Sequence, residues 1–211
     1  MDEADLRSEH AAAAAAVRQL GHSLIARAVD PILLAELTSQ VTALAEQVEA
    51  QPRVTRLANS ARSFYEPPTR DSPAEHRNLF RESIVSGDLN ALGLGADLWR
   101  EGDVAVMEVT LGPAFEGAPG RSHGGIVAAM IDETMGIVLA IHDQAAYTGR
   151  LSVTYRAGTP VGTPVQCRCW LTERAGRKLH MAGEVVADGV VCAEAEAIFI
   201  IVDRSEFAES D

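Results

Sequence analysis

Residues 119–141, PGRSHGGIVAAMIDETMGIVLAI, constrain this chain more than any other stretch. Pro119, Gly120, Arg121 and Ser122 predict a turn that runs into an apolar segment long enough for about five helical turns. Two polar features interrupt it: the His123-Gly124-Gly125 triplet at its start and the Asp132-Glu133 pair in its middle. An unpaired charge is costly to take out of water, so a carboxylate midway along an apolar helix needs a partner or a task. Asp132 is accordingly the first candidate for chemistry.

The sequence on either side predicts a sheet. Residues 94–100 and 104–111 alternate with period two and are joined by Glu101-Gly102-Asp103, a hairpin signal. After the apolar helix come four more strand candidates, residues 148–156, 165–174, 178–187 and 190–202. Their breaks carry turn chemistry, with Asp188-Gly189 the strongest. One long apolar helix lying between a pair of strands and an antiparallel run predicts an α+β unit in which the sheet buries the helix on most sides.

Upstream the pattern differs. Residues 4–50 are rich in Ala, Leu, Glu, Gln and Arg, and Asp30-Pro31 marks the start of a second helix. That helix places Ile32, Leu33, Leu37, Val41, Leu44 and Val48 near one stripe, which predicts packing on the main unit or on a partner copy. From residue 51 to about 82, prolines alternate with Arg53, Arg56, Arg62, Arg70, Arg77 and Arg81, a long connection whose first reading is a solvated linker.

The net charge of -12 argues against a nucleic-acid surface, because no excess of cations is present to displace phosphate counterions. No segment reads as long and charge-free enough to span a bilayer, and the acidic start lacks the basic region of a secretory signal. A cytoplasmic protein is the expectation. Cys167, Cys169 and Cys192 are too few and too poorly spaced for a disulfide framework or a zinc site; Cys167 and Cys169 share a strand face and read as packing residues.

The order of elements and the residues at their centre resemble the hotdog-fold acyl-CoA thioesterases, in the phenylacetate-type (PaaI-like) branch. Gly87, Asn90, Gly93 and Leu94 look like that branch's G-x-x-N-x-x-G-L lead-in, and Gly117-Ala-Pro-Gly120 before His123-Gly-Gly125 looks like its loop into the helix. Leu151-x-Val-x-Tyr155 with Pro160-x-Gly162 looks like its next strand and turn. HGG alone is weak; with a carboxylate nine residues on and a hydroxyl sixteen beyond that, in the right strand order, the signal is strong. The resemblance implies a hotdog fold over residues 87–203, preceded by a helical extension (1–51) and a connection (52–86) and followed by a tail (204–211). It also implies a thioester hydrolase acting on acyl-CoA in fatty acid metabolism, with no cofactor beyond the coenzyme A of the substrate.

It assigns roles as well. Asp132 would activate water, or attack the thioester itself; Thr148 would orient that water; Gly124 N–H would stabilise the oxyanion. Thioester hydrolysis needs these parts, and a helix start supplies the last because its first N–H groups lack internal partners. Gly125 and His123 complete the triplet, His123 by fixing the loop or touching substrate. Glu133 is either a second acid at the substrate or a hydrogen-bonded structural carboxylate. Ser122 reads as the helix N-cap. Arg156 and Arg150 are the candidates for the coenzyme phosphates, with Arg174, Arg177 and Lys178 clustered at a later turn. The loop GPAFEGAPGRS holds no Asn or Gln to serve as a second oxyanion donor. Met130, Ile131 and Met135 fit an acyl pocket and ordinary core packing equally well.

One expectation is independent of family. Gly124 and Asp132 are eight residues apart, about 12 Å along a helix, whereas a reacting carbonyl must lie near ~3 Å from both donor and attacker. Two helices antiparallel across a two-fold axis meet that requirement. The expectation is a homodimer, or a dimer of dimers, with Gly124 from one subunit and Asp132 with Thr148 from the other. The competing expectation, from another class, is a non-catalytic acyl-CoA or lipid-binding hotdog protein.

Overall fold

The computed structural model describes residues 3–53, 67–73, 77 and 79–203. Two helices, α1 (Glu3–Ala26) and α2 (Pro31–Glu49), come first. Strands β1 (Asp97–Glu101) and β2 (Val104–Thr110) follow, then a 3-10 turn at Pro113–Phe115 and the short pair β3 (Glu116–Ala118) and β4 (Arg121–Ser122). Helix α3 (Gly124–Ile141) leads into β5 (Ala146–Tyr155), β6 (Pro164–Ala175), β7 (Lys178–Ala187) and β8 (Val190–Ile201).

Six of these strands form one antiparallel sheet in the order β1-β2-β6-β7-β8-β5, and α3 lies against β2, β6 and β7 with its flanks on β1 and β5. This is the antiparallel sheet packed on one long apolar helix that the hydropathy pattern predicts. Period-two alternation turns Leu179, Met181, Val185 and Ala187 of β7 and Ala193, Ala195, Ala197 and Phe199 of β8 inward. They meet Val127, Met130, Ile131, Met135, Ile137 and Val138 of α3, all buried. At roughly 2 kcal/mol per large side chain fully removed from water, this contact is the main source of stability. Cys167 and Cys169 lie in the same core, where Gly183 gives Cys169 its space, since a Cβ there would come within 2.6 Å of its Sγ. Burial pushes the Cys169 thiol well above its ordinary pKa, as expected of a packing residue.

Two turns set the hairpins as the sequence indicates. Asp188 and Gly189 both have positive φ, 49° and 75°, the pattern of a type I′ turn whose twist matches its strands. Gly176, at φ 61°, opens the β6–β7 turn.

Three features differ from expectation. The first strand begins at Asp97 rather than residue 94, because Gly95 takes φ 67° and the neighbouring N–H groups bond backward, Leu94 to Val85 O and Ala96 to Ser86 O. The helix α3 is covered by the sheet on one side, while Ile126, Ala128, Ala129 and Gly136 remain partly exposed. By mean hydropathy α3 is long and apolar enough to cross a membrane, yet it carries Asp132 and Glu133 and occupies the centre of the sheet.

The connection also packs more closely than a linker. Arg100 N–H donates to Pro68 O at 2.7 Å, Arg70 stacks over Trp99, Arg77 pairs with Asp97 and Arg81 pairs with Asp88. Arg70, Arg77 and Arg81 are thus engaged in structure, while Arg53 is exposed; Arg56 and Arg62, and the tail at 204–211, lie outside the described residues. The two N-terminal helices behave differently. α1 docks on the sheet unit, whereas α2, capped by the Asp30 carboxylate accepting from Ile32 N–H, buries no residue among those described.

Candidate active site

The start of α3 is built by backbone. His123 occupies the N-cap in extended conformation, and its Nδ1 accepts from Gly125 N–H at 3.0 Å. The cap is therefore His123 and not Ser122, whose hydroxyl lies 3.5 Å from His123 O. Accepting through Nδ1 places the proton of the neutral ring on Nε2. Ile126 N–H donates to His123 O at 2.9 Å. Of the first three amides in the helix, Gly124 N–H alone is left without a partner among the described residues, at the positive end of the helix dipole.

A cleft of about 520 Å³ opens at this point, lined by Arg121, His123, Gly124, Tyr155, Arg156 and Gly158 with their neighbours. The Tyr155 hydroxyl donates to Gly124 O at 2.7 Å, and its ring lies so close that a Cβ on Gly124 would sit 3.2 Å from it. Gly158 performs the same service for Arg121, whose side chain crosses the space a Cβ would fill. A side chain at 124 would press on the Tyr155 ring, so glycine gives that ring its present place.

The middle of α3 is built by side chains. Thr148 Oγ1 donates to Asp132 Oδ1 at 2.8 Å, which brings together the two residues that the family resemblance pairs. Asp132 is half-buried and Thr148 exposed, so the pair stands at the rim of the sheet. Asp132 Oδ2 has no hydrogen bond among the described residues and is available to a water or a substrate. Glu133, turned about 100° around the helix, faces elsewhere: its Oε1 accepts from Ser86 Oγ at 2.5 Å and from Ser86 N–H at 3.3 Å. Ser86 is fully buried, so Glu133 ties α3 to the lead-in coil, the structural one of its two readings.

A bulge explains how Thr148 reaches Asp132. Thr148 pairs with Phe199 and Arg150 with Ile198, leaving Gly149 as an extra residue. Thr148, Leu151, Val153 and Tyr155 therefore share the helix-facing side despite odd spacing. Arg150 and Arg156 take the other side. Arg150 lies on the outer sheet face with Ser152, His180 and Glu196. Arg156 Nε donates to Glu194 at 2.7 Å and also borders the cleft at the α3 start. Met130, Ile131 and Met135 are fully buried core. Two contributors escaped the sequence reading, Tyr155 as a contact of Gly124 and Arg121 as a cleft residue. The Leu-x-Val-x-Tyr alternation, which puts Tyr155 on the face of Leu151, was the available signal for the first.

Comparison with known proteins places this geometry. Residues 120–193 match the family model described as Thioesterase superfamily. The acyl-coenzyme A thioesterase THEM4 of Xenopus laevis is 34% identical over 91 residues, 42% of this chain and 41% of the relative. THEM4 of Mus musculus is 34% identical over 91 residues, covering 42% and 39% respectively, so this chain spans about two fifths of the length of these curated relatives. A solved structure of a thioesterase superfamily protein superposes with TM-score 0.76 at 26% identity, covering 90% of this chain and 94% of the other. That coverage extends beyond the sheet and its helix into the N-terminal extension. The chain's sheet-and-helix unit has a hotdog fold, and its residues 120–193 carry the similarity to the thioesterase superfamily model.

Proposed function

We propose that the protein is an acyl-CoA thioesterase, hydrolysing the thioester to a free acid and coenzyme A. The observation that carries this reading is the Thr148–Asp132 hydrogen bond at the sheet rim, which leaves one carboxylate oxygen open beside a hydroxyl. In the reaction Asp132 takes a proton from water as that water attacks the thioester carbonyl, and Thr148 orients it. The developing oxyanion is received by Gly124 N–H, and the thiolate of coenzyme A departs and is protonated. The carboxylate, hydroxyl and amide of this chain supply the chemistry. The names of the THEM4 relatives support the substrate class.

The site is composite in this proposal. Gly124 and Asp132 are about 12 Å apart along one helix, too far for one carbonyl to meet both. Strand β5 lies at the sheet edge with most of its residues exposed, and the half-exposed side of α3 lies alongside. Edge strands pair with one another readily, and a β5–β5 contact across a two-fold axis would bring Gly124 of one copy toward Asp132 of the other. Arg121 and Arg156 at the cleft are then placed to meet the coenzyme phosphates.

Free-thiol release from a panel of acyl-CoAs, with wild type and Asp132→Asn, tests the function. Turnover that Asp132→Asn abolishes is expected; unchanged turnover removes Asp132 from its role. Saturable acyl-CoA binding without turnover by the wild type would favour a binding protein. An active monomer in sedimentation would remove the composite site.

A further inference from the structure

Helix α1 lends no side chain to either half of the α3 site, yet it grips the two segments that hold α3 in place. Its docked face is Ala11, Ala14, Arg18, Gly21 and His22, at helical spacing. Small residues bring the helix close, and two polar side chains one turn apart make the specific contacts.

The first contact runs to the middle of α3. Arg18 Nε donates to Gly93 O at 2.6 Å, and its terminal nitrogen donates to Asn90 O at 2.9 Å and Gly87 O at 3.4 Å. These carbonyls converge because residues 83–95 are wound tightly: a Cβ on Gly87 would lie 2.3 Å from Ser83 O, and one on Gly93 would lie 2.7 Å from Gly87 O. A three-pronged planar donor fits such a cluster in a way an ammonium cannot. The same coil presents Ser86 to Glu133, the residue adjacent to Asp132.

The second contact runs to the start of α3. His22 Nδ1 accepts from Ala114 N–H at 3.1 Å, and its ring meets Phe115 edge-on with centroids 5.0 Å apart. Gly112 admits the ring, since a Cβ there would lie 2.5 Å from it. Phe115 O in turn accepts from His123 N–H at 2.8 Å, the residue that caps α3.

We infer that α1 is a brace for the reactive helix, with Arg18 a positioning residue for the Asp132 half and His22 a positioning residue for the Gly124 half. The kinetic consequences rest on the thioesterase reading; the brace itself does not. Burial of Arg18 lowers its pKa, as expected for a guanidinium drawn out of water into a carbonyl cluster.

Amide hydrogen exchange on the full chain, read without substrate, tests the brace in Arg18→Met and His22→Phe. The first keeps a long stem without donors, the second a ring without an acceptor. Arg18→Met is expected to accelerate exchange about tenfold or more over residues 84–96 and around Glu133, while sparing 112–125; His22→Phe is expected to do the reverse. His22→Asn, which returns an acceptor near the Nδ1 position, is expected to restore protection. In thiol-release assays Arg18→Met lowers kcat about fivefold with KM within about twofold, and Arg18→Lys recovers it only in part. Unchanged exchange in α3 in both variants overturns the brace, as does an indiscriminate rise across the whole sheet. A wild type that releases no thiol from any acyl-CoA overturns the thioesterase reading alone.

Discussion

In the proposed reaction the start and the middle of α3 do complementary work by different means. At Gly124 the proposed functional group is a backbone amide, and side chains matter for what they leave open or hold still. At Asp132 the group is a side chain, oriented by a second side chain and flanked by a third that is committed to structure. A backbone donor survives every substitution except proline and is otherwise only crowded or misplaced, whereas a carboxylate is removed by any neutral side chain. The two halves of one helix should therefore respond to mutation with different magnitudes.

The largest expected effect is at Asp132. Asp132→Asn keeps shape and a Thr148 partner but removes the base, and kcat for thiol release should fall about 10²- to 10⁴-fold with KM little changed. Gly124→Ala should cost about tenfold in kcat/KM, because the added carbon meets the Tyr155 ring at 3.2 Å and must move it. A loss as deep as that of Asp132→Asn would break the contrast. Thr148→Val, isosteric and without a donor, should lower kcat about tenfold, with Thr148→Ser recovering most of it. Tyr155→Phe retains the ring and loses one hydrogen bond to Gly124 O, so a change of about threefold or less in kcat/KM is expected.

The smallest effect is a pH dependence confined to the start of the helix. Burial, then the nearby Arg18 charge, hold His22 below its ordinary pKa of 6.5. Below 6.5 the unfolded chain binds this proton more readily than the folded one, so stability falls as pH drops through that window and is unaffected well above it. Denaturant unfolding at pH 7.5 and 5.5 should show a larger loss for wild type than for His22→Asn.

Much of this arrangement was legible in the sequence because it is local. The α2 start at Asp30-Pro31, the β7 boundaries, the Asp188-Gly189 turn and the apolar α3 each follow from residues within a few positions of one another. Asp132 was legible as a carboxylate inside an apolar helix, and Thr148 through the family resemblance that carries the HGG triplet. What was not legible depends on contacts between distant segments. Ser86 and Glu133 are 47 residues apart, and Arg18 and Gly93 are 75 apart. Arg18 lies in an alanine-rich helix where nothing nearby distinguishes it from a solvated arginine. The apolar stripe of α2 predicts packing on the main unit or on a partner copy; within one chain Leu33, Val41, Leu44 and Val48 are exposed, while α1 docks through small residues with Arg18 and His22. Ser122 and His123 compete for the cap, and only the backbone path of β4 decides between them.

The bulge at Gly149 divides β5 into two phases. Residues before it face the helix on even numbers, as Thr148 does, and residues after it on odd numbers, as Leu151, Val153 and Tyr155 do. A strand has no partial rotation available to it, so loss of a single residue there would reverse one half relative to the other. Either Thr148 would leave Asp132 for the outer face, or Tyr155 would leave Gly124. The length of this strand is thus as much a specification of the proposed site as the identity of its residues, because one surplus glycine keeps the hydroxyl in register with the middle of the helix and the aromatic ring with its start.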